Sequence, residues 1–195
     1  MTKEPAPINN IIRSRRSIFP RDFTGARVED QVVRQMLENA NWAPSHKLTE
    51  PWRFIVYTGE GLRRLAELQA ACYESRTRAD GTFSEDKYIK LLKKPLESSH
   101  IIVVAMKRDP HKRLPEVEEL GAVFCAIQNM HLTATAYGIG GYLSTGGITY
   151  FEEAKQLFGL DQEDRLIGFF HIGTPAQWPD GHRGPFESKF KWIDK

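Results

Sequence analysis

The stretch Ala122–Ala136 is apolar on nearly every side of a helix. Pro115 suits the first turn of that helix, and Gly138 stops it, which predicts a helix over Pro115–Tyr137. A helix with so little polar surface must be covered all round, so it belongs at the centre of a layered domain. It is not a membrane span, because no run approaches the roughly 18 apolar residues a span needs.

Other elements have to supply the cover. His100–Met106 holds Ile101, Ile102, Val103 and Val104 in succession, the pattern of a strand buried on both faces. Arg53–Thr58 and Leu166–Ile172 read the same way. Val28, Val32, Val33, Met36, Leu37 and Ala40 form one helical stripe, and Leu62, Leu65, Ala66, Gln69, Cys72 and Tyr73 form another over Leu62–Thr77. Ile8–Ser14 is a short helix, and Tyr142–Thr145 a short strand. Thr149-Tyr150-Phe151-Glu152 has the spacing of a capping box opening a helix over Tyr150–Phe158. Arg78–Lys94 is polar and poorly periodic. It reads as a mobile, helix-containing cover, with Gly81 as pivot and Phe83 and Tyr88 as ring-sized contacts. Helices and strands in this order give an α+β or mixed α/β layer fold.

A chain of 195 residues suits one domain, 1–195. With 41% hydrophobic and 27% charged residues it is neither disordered nor fibrous. Lys and Arg number 27 against 25 Asp and Glu, a net charge of +2, which argues against a nucleic-acid or membrane-surface protein. Cys72 and Cys125 are too far apart for a zinc motif. The polar Met1–Asn10 carries no leader pattern, so a cytoplasmic protein with reduced thiols is expected. Thr174–Lys195 is a polar tail holding Trp178, Phe186, Phe190 and Trp192. So many large aromatics need a surface, and a second subunit would provide one.

Several reaction types have no residues to run them. There is no phosphate-cradling Gly-rich loop before a Lys-Ser/Thr pair. Gly138-x-Gly140 leaves a helix and enters a strand, the reverse of a dinucleotide-binding turn. Ser144 lacks the flanking glycine spacing of a nucleophile elbow. The histidines at 46, 100, 111, 131, 171 and 182 show no metal-binding spacing, and His131 and His171 fall inside apolar elements as core residues would.

Three features carry chemistry. Arg13, Arg15, Arg16 and Ser17 gather guanidinium forks and a hydroxyl that match phosphate oxygens, although a solvated helix end would look similar. The loop Trp42–Trp52 sets two prolines, Ser45 and His46 between two tryptophans, either for a planar ligand or as a structural connection. Gly138–Gly147 lets backbone approach a flat group, or forms a helix stop and a bulged strand.

Taken in order, Arg15-Arg16-Ser17, Ala43-Pro44-Ser45 through Pro51-Trp52, Gly138–Gly146 and Ile167-Gly168 through Gly173-Thr174-Pro175 resemble the motifs of the nitroreductase family, most closely a compact bacterial branch. The resemblance implies an α+β fold with a mixed, mostly antiparallel sheet flanked by helices. It implies a homodimer with FMN at the subunit interface and tail 174–195 on the partner. Arg15, Arg16 and Ser17 would hold the FMN phosphate and ribityl chain. Trp42 and His46 would approach from the partner subunit, and Leu143, Ser144 and Thr145 would line the ring. Arg183 is the candidate for a C-terminal phosphate cation. Glu50 stands where Gln is usual, and Ser144 where related small members carry Arg. The activity implied is NAD(P)H-dependent reduction of an electron-poor acceptor, nitroaromatic- or quinone-like, in ping-pong order. Reductive dehalogenation, flavin modification and non-catalytic flavin binding stay open alongside it.

Overall fold

The computed structural model describes residues 6–194. The opening Met1–Pro5, part of the stretch read above for a leader, lies outside them. Six α-helices and four β-strands run in the order α1 (Ala6–Ser14), α2 (Asp30–Asn41), β1 (Trp52–Thr58), α3 (Glu60–Ala79), α4 (Glu85–Lys93), β2 (His100–Met106), α5 (Glu116–Ala136), β3 (Gly140–Ser144), α6 (Glu152–Leu157) and β4 (Arg165–Gly173). The strands form one antiparallel sheet, β1-β2-β4-β3. A single parallel bridge, Ser17 to Gly141, extends it beyond β3 and accounts for the mixed character expected.

Every residue of β2 is buried because both faces of the sheet are covered. Ile102, Val104, Met106, Phe170 and Ile172 face α2 and α5, where Met36, Val123 and Met130 complete one core. Ile101, Val103, Leu166 and Phe169 face the other way, toward Leu65 and Tyr73 of α3 and Ala154 of α6. Successive side chains alternate between faces, so one apolar run feeds two cores.

The alternation slips once. The β2–β4 register shifts between Val104 and Ala105, which makes a bulge at Ile167-Gly168 and puts Ile167 and Phe170 in the same core although they are three apart. Gly168 is required there. A Cβ on it would lie 2.5 Å from the backbone oxygen of Ser144 on β3.

The central helix is confirmed as α5, with one difference. Val117, Phe124 and Cys125 lie on a stripe that faces solvent, so a single chain leaves part of this apolar helix uncovered. Arg78–Lys94 is also more ordered than its composition implied. It contains the end of α3, a turn and α4. Phe83 packs between Tyr73 and Tyr88 with the Arg78 guanidinium over its ring, and the Tyr73 hydroxyl accepts the Ser84 N–H. Phe83 is therefore an anchor of α4. The capping box does not form. Thr149 Oγ1 donates to Gly146 O, and α6 begins after Phe151 with no side-chain cap.

Candidate functional site

Ser17 sits on the exposed edge of β3. Ile18 N–H donates to Gly141 O at 3.1 Å, and His131 Nε2–H of α5 donates to the same oxygen at 2.9 Å. The Phe170 and His131 rings meet in a T-shaped pair, centroids 4.9 Å apart. Gly141 makes this junction possible, since a Cβ would lie 2.8 Å from both His131 and Phe170. Burial holds the His131 pKa below its ordinary value, with help from the nearby Arg15 charge, so the ring is neutral near pH 7. His171 is likewise buried and bonded, its Nδ1 2.9 Å from Ser98 Oγ, and burial pushes its pKa down to about 3. Both histidines are core residues, as their sequence setting implied.

This junction carries Arg15 and Ser17 to the rim of the sheet. Arg15 Nη1 lies 3.5 Å from Ser17 Oγ, a marginal hydrogen bond. Burial lowers the Arg15 pKa, and so does the repulsion of Arg183 and Arg16. Arg183 is 168 positions away in sequence but is brought here by the returning tail. No carboxylate pairs with Arg13, Arg15, Arg16 or Arg183 among the described residues. Like charges gathered without a counter-ion make a site that favours an anion.

Arg16 is turned to a different use. Its Nε donates to Pro179 O at 3.0 Å, and its Nη1 to Arg13 O at 2.7 Å and Arg15 O at 2.9 Å. The backbone at Gly181 lies against the guanidinium so closely that a Cβ would fall 2.2 Å from Cζ. Trp178 Nε1 donates to Ser14 O at 2.7 Å, and the Thr24 and Ala176 amides continue the attachment through Thr174 O and Asp22 O. The first half of the tail thus packs on the end of α1 and the following segment, from Ser14 to Thr24, of its own chain. Further along, Phe186 and Phe190 stack on each other and remain exposed, as do Trp192 and Ile193.

The turn after β3 separates two cavities. Leu143 packs into the α2/α5 core. Ser144, Gly146 and Gly147 line a cavity of about 250 Å³ on the α3/α4 side. Thr145 lines another of about 420 Å³, beside Leu120, Phe124 and Tyr150. Lys94 Nζ reaches from the end of α4 to within 3.4 Å of Ser144 Oγ and lies 4.7 Å from the centre of the Tyr142 ring. Burial lowers its pKa. A cation therefore stands beside Ser144 even though Ser144 itself is neutral. The sequence reading missed Lys94 and its neighbours Lys87 and Lys90. Their spacing of three and four places them on one helical face, and that was the available signal.

Neither Trp42 nor His46 makes a hydrogen bond to the arginine cluster among the described residues. Trp42 caps α2 and is 82% exposed, beside Asn39, Asn129 and Leu132. His46 Nδ1 lies 2.6 Å from Glu118 Oε2 at the start of α5. His131 is thirteen residues further along that helix, a distance of roughly 20 Å. The loop between them and β1 is strained: Lys47, Leu48 and Glu50 have φ values of 53°, 52° and 42°. Ser45 Oγ accepts the Glu50 N–H and Trp52 Nε1 donates to Asn41 Oδ1, which hold the loop in place.

No group of His, Cys, Asp or Glu suited to a metal occurs among the described residues, and no helix there is long and apolar enough to cross a membrane.

Comparison with known proteins places this geometry. Residues 12–174 match the model of the family described as "Nitroreductase family". The Bacillus subtilis (strain 168) protein named "Putative NAD(P)H nitroreductase YfhC" is 34% identical over 94% of this chain and 92% of its own. A crystal structure of a nitroreductase-like family protein from Bacillus cereus superposes with a TM-score of 0.81 at 32% identity, covering 100% of both chains. A Desulfovibrio desulfuricans structure, described as "a putative nitroreductase in complex with fmn", gives 0.73 at 27% identity, over 100% of this chain and 99% of its own.

Proposed function

Since the chain belongs to the nitroreductase family, we propose that it is an FMN-dependent oxidoreductase that uses NAD(P)H to reduce an electron-poor acceptor. The observation that carries this reading is the group of Arg15, Arg16 and Arg183 at the β3 edge, which lacks a carboxylate partner among the described residues. A terminal phosphate supplies the missing negative charge, and Ser17 adds a hydroxyl donor beside it. The residues present therefore fit the cofactor.

Arg15, Ser17 and Arg183 would hold the phosphate. Arg16 keeps the tail in the position that presents Arg183. Neutral His131 fixes the strand edge through Gly141 without adding a proton or a charge. Gly146 faces open space and leaves its backbone accessible to a flat ring. Lys94 holds the Ser144 hydroxyl and supplies the cation that this position of the turn lacks. When bound, FMN supplies the redox chemistry, taking hydride from NAD(P)H and passing electrons to a nitroaromatic- or quinone-like acceptor in ping-pong order. The protein contributes binding, orientation and electrostatics.

The same reading includes a homodimer. Trp42, Leu48, Val117, Phe124 and Tyr150 are all exposed in one chain. A second copy would cover them and bring a partner's Trp42–Trp52 loop to the arginine site. Anaerobic stopped-flow mixing with NADH or NADPH tests the activity. Bleaching of the flavin band, followed by its return on adding an acceptor in a separate mix, is the expected result. A preparation that holds FMN but is not reduced by either nucleotide would reject the enzymatic reading.

A further inference from the structure

Lys94 follows the last turn of α4 and is half-buried. Among the described residues, Lys107, Lys112 and Lys155 pair with carboxylates and Lys94 does not. Burial works against its charge, and the more distant Glu97 offsets that only in part. Its hydrogen bond to Ser144 Oγ is long, at 3.4 Å. His171, the cross-strand partner of Tyr142 on β4, is neutral and offers no negative charge. Lys87 and Lys90, which line the same cavity, carry the same sign as Lys94. An ammonium held in such a place needs another source of attraction.

The Tyr142 ring supplies it. Lys94 Nζ lies over that ring, 4.7 Å from its centre, where the negative face of the π-system attracts a cation. Tyr142 and Ser144 are two apart on β3, so their side chains leave the sheet on the same side. The ammonium bridges the ring and the hydroxyl. The ring is itself propped. Ile18 is buried, and the extended backbone at Phe19 (φ −69°, ψ 148°) turns the next side chain onto Tyr142, with ring centres 4.6 Å apart. We propose that Tyr142 is a positioning residue: with Phe19 packed against it, its ring holds the Lys94 cation beside Ser144, and through Lys94 it sets how strongly the site favours reduced, negatively charged flavin over the oxidised form. The role at the flavin rests on the proposed function, but the pairing of Tyr142 with Lys94 does not.

Two measurements test this. In the flavin-free protein, the lysine ε-carbon NMR signals are titrated with pH. Tyr142→Phe keeps the ring face and should leave the Lys94 titration as in the parent. Tyr142→Leu should let the amine turn to water, so that Lys94 titrates with the exposed lysines. Phe19→Ala, a change at a partly exposed ring, should move it the same way. In the holoprotein, the midpoint potential of bound FMN is measured. Tyr142→Leu should lower the preference for the reduced form about tenfold, the scale of one charge-assisted contact, which is about 30 mV for two electrons. In a Lys94→Met background the same change should add nothing further. A Lys94 titration unmoved by both Tyr142→Leu and Phe19→Ala would overturn the proposal, and so would a potential shift of equal size with and without Lys94. A protein that takes up no FMN would reject the proposed function, while the titration still decides the pairing.

Discussion

Removing the Arg16 guanidinium separates its two candidate roles. In the structure it joins Pro179 O, Arg13 O and Arg15 O and lies against Gly181. A hydrogen bond from a charged donor contributes about 1.5–3 kcal/mol, and these three share one half-exposed group, so about 2 kcal/mol for the set is a reasonable sum. Arg16→Ala should therefore raise the open population of the tail by roughly 30-fold without unfolding the sheet. Brief trypsin treatment reads this directly through cleavage after Arg183, followed by the mass of the released C-terminal fragment. The fragment should appear roughly 30-fold faster in Arg16→Ala, while Arg15→Ala keeps the parent's rate. FMN affinity should fall in both variants, for different reasons: Arg15→Ala removes a phosphate contact, and Arg16→Ala lets Arg183 drift away. If Arg16→Ala loses FMN but its tail is cut at the parent's rate, the clamp is wrong and Arg16 is a phosphate ligand.

Two further outcomes follow from the core. The folded His171 has a pKa of about 3, against about 6.5 in an unfolded chain, so the folded state carries fewer protons and stability falls as pH drops below 6.5. By pH 4 the loss should reach roughly 3 kcal/mol, and urea titrations should show the stability gap between parent and His171→Gln shrinking by that amount. Equal pH slopes for the two would contradict a buried neutral ring. Gly168→Ala sets a Cβ against Ser144 O and should lower stability by about 1–3 kcal/mol. An unchanged melting temperature would mean that the bulge has room.

Most of the architecture was legible because burial on both faces leaves a plain signal. Ile101–Val104 could only be a covered strand, and the apolar α5 could only be central. Periodicity does not report what lies outside one chain, so the solvent-facing stripe of Val117 and Phe124 was hidden within a helix that looked uniformly apolar. Phe83 and Tyr88 looked like ligand contacts because local composition is polar. Only the fold shows Tyr73, ten residues before Phe83 on α3, packed against that ring while Tyr88 closes on its other side. The capping-box pattern of Thr149 and Glu152 was outweighed by a turn in which Thr149 bonds back to Gly146. At the site, the adjacent Arg15-Arg16-Ser17 was visible as a cluster. Its division of labour was not, because that depends on a tail returning from the other end of the chain. Lys94 escaped notice for the same reason, since its partner Ser144 is fifty residues on.

The account stands or falls on whether the arginine group holds a phosphate. Calorimetric titration of the flavin-free protein with FMN and with riboflavin, repeated on Arg15→Ala and Arg183→Ala, measures this directly. FMN should bind the parent about a hundredfold more tightly than riboflavin, as two charge-assisted contacts imply. Each variant should lose about tenfold for FMN and keep the parent's affinity for riboflavin. Equal binding of FMN and riboflavin by the parent, with both variants unchanged, would contradict it.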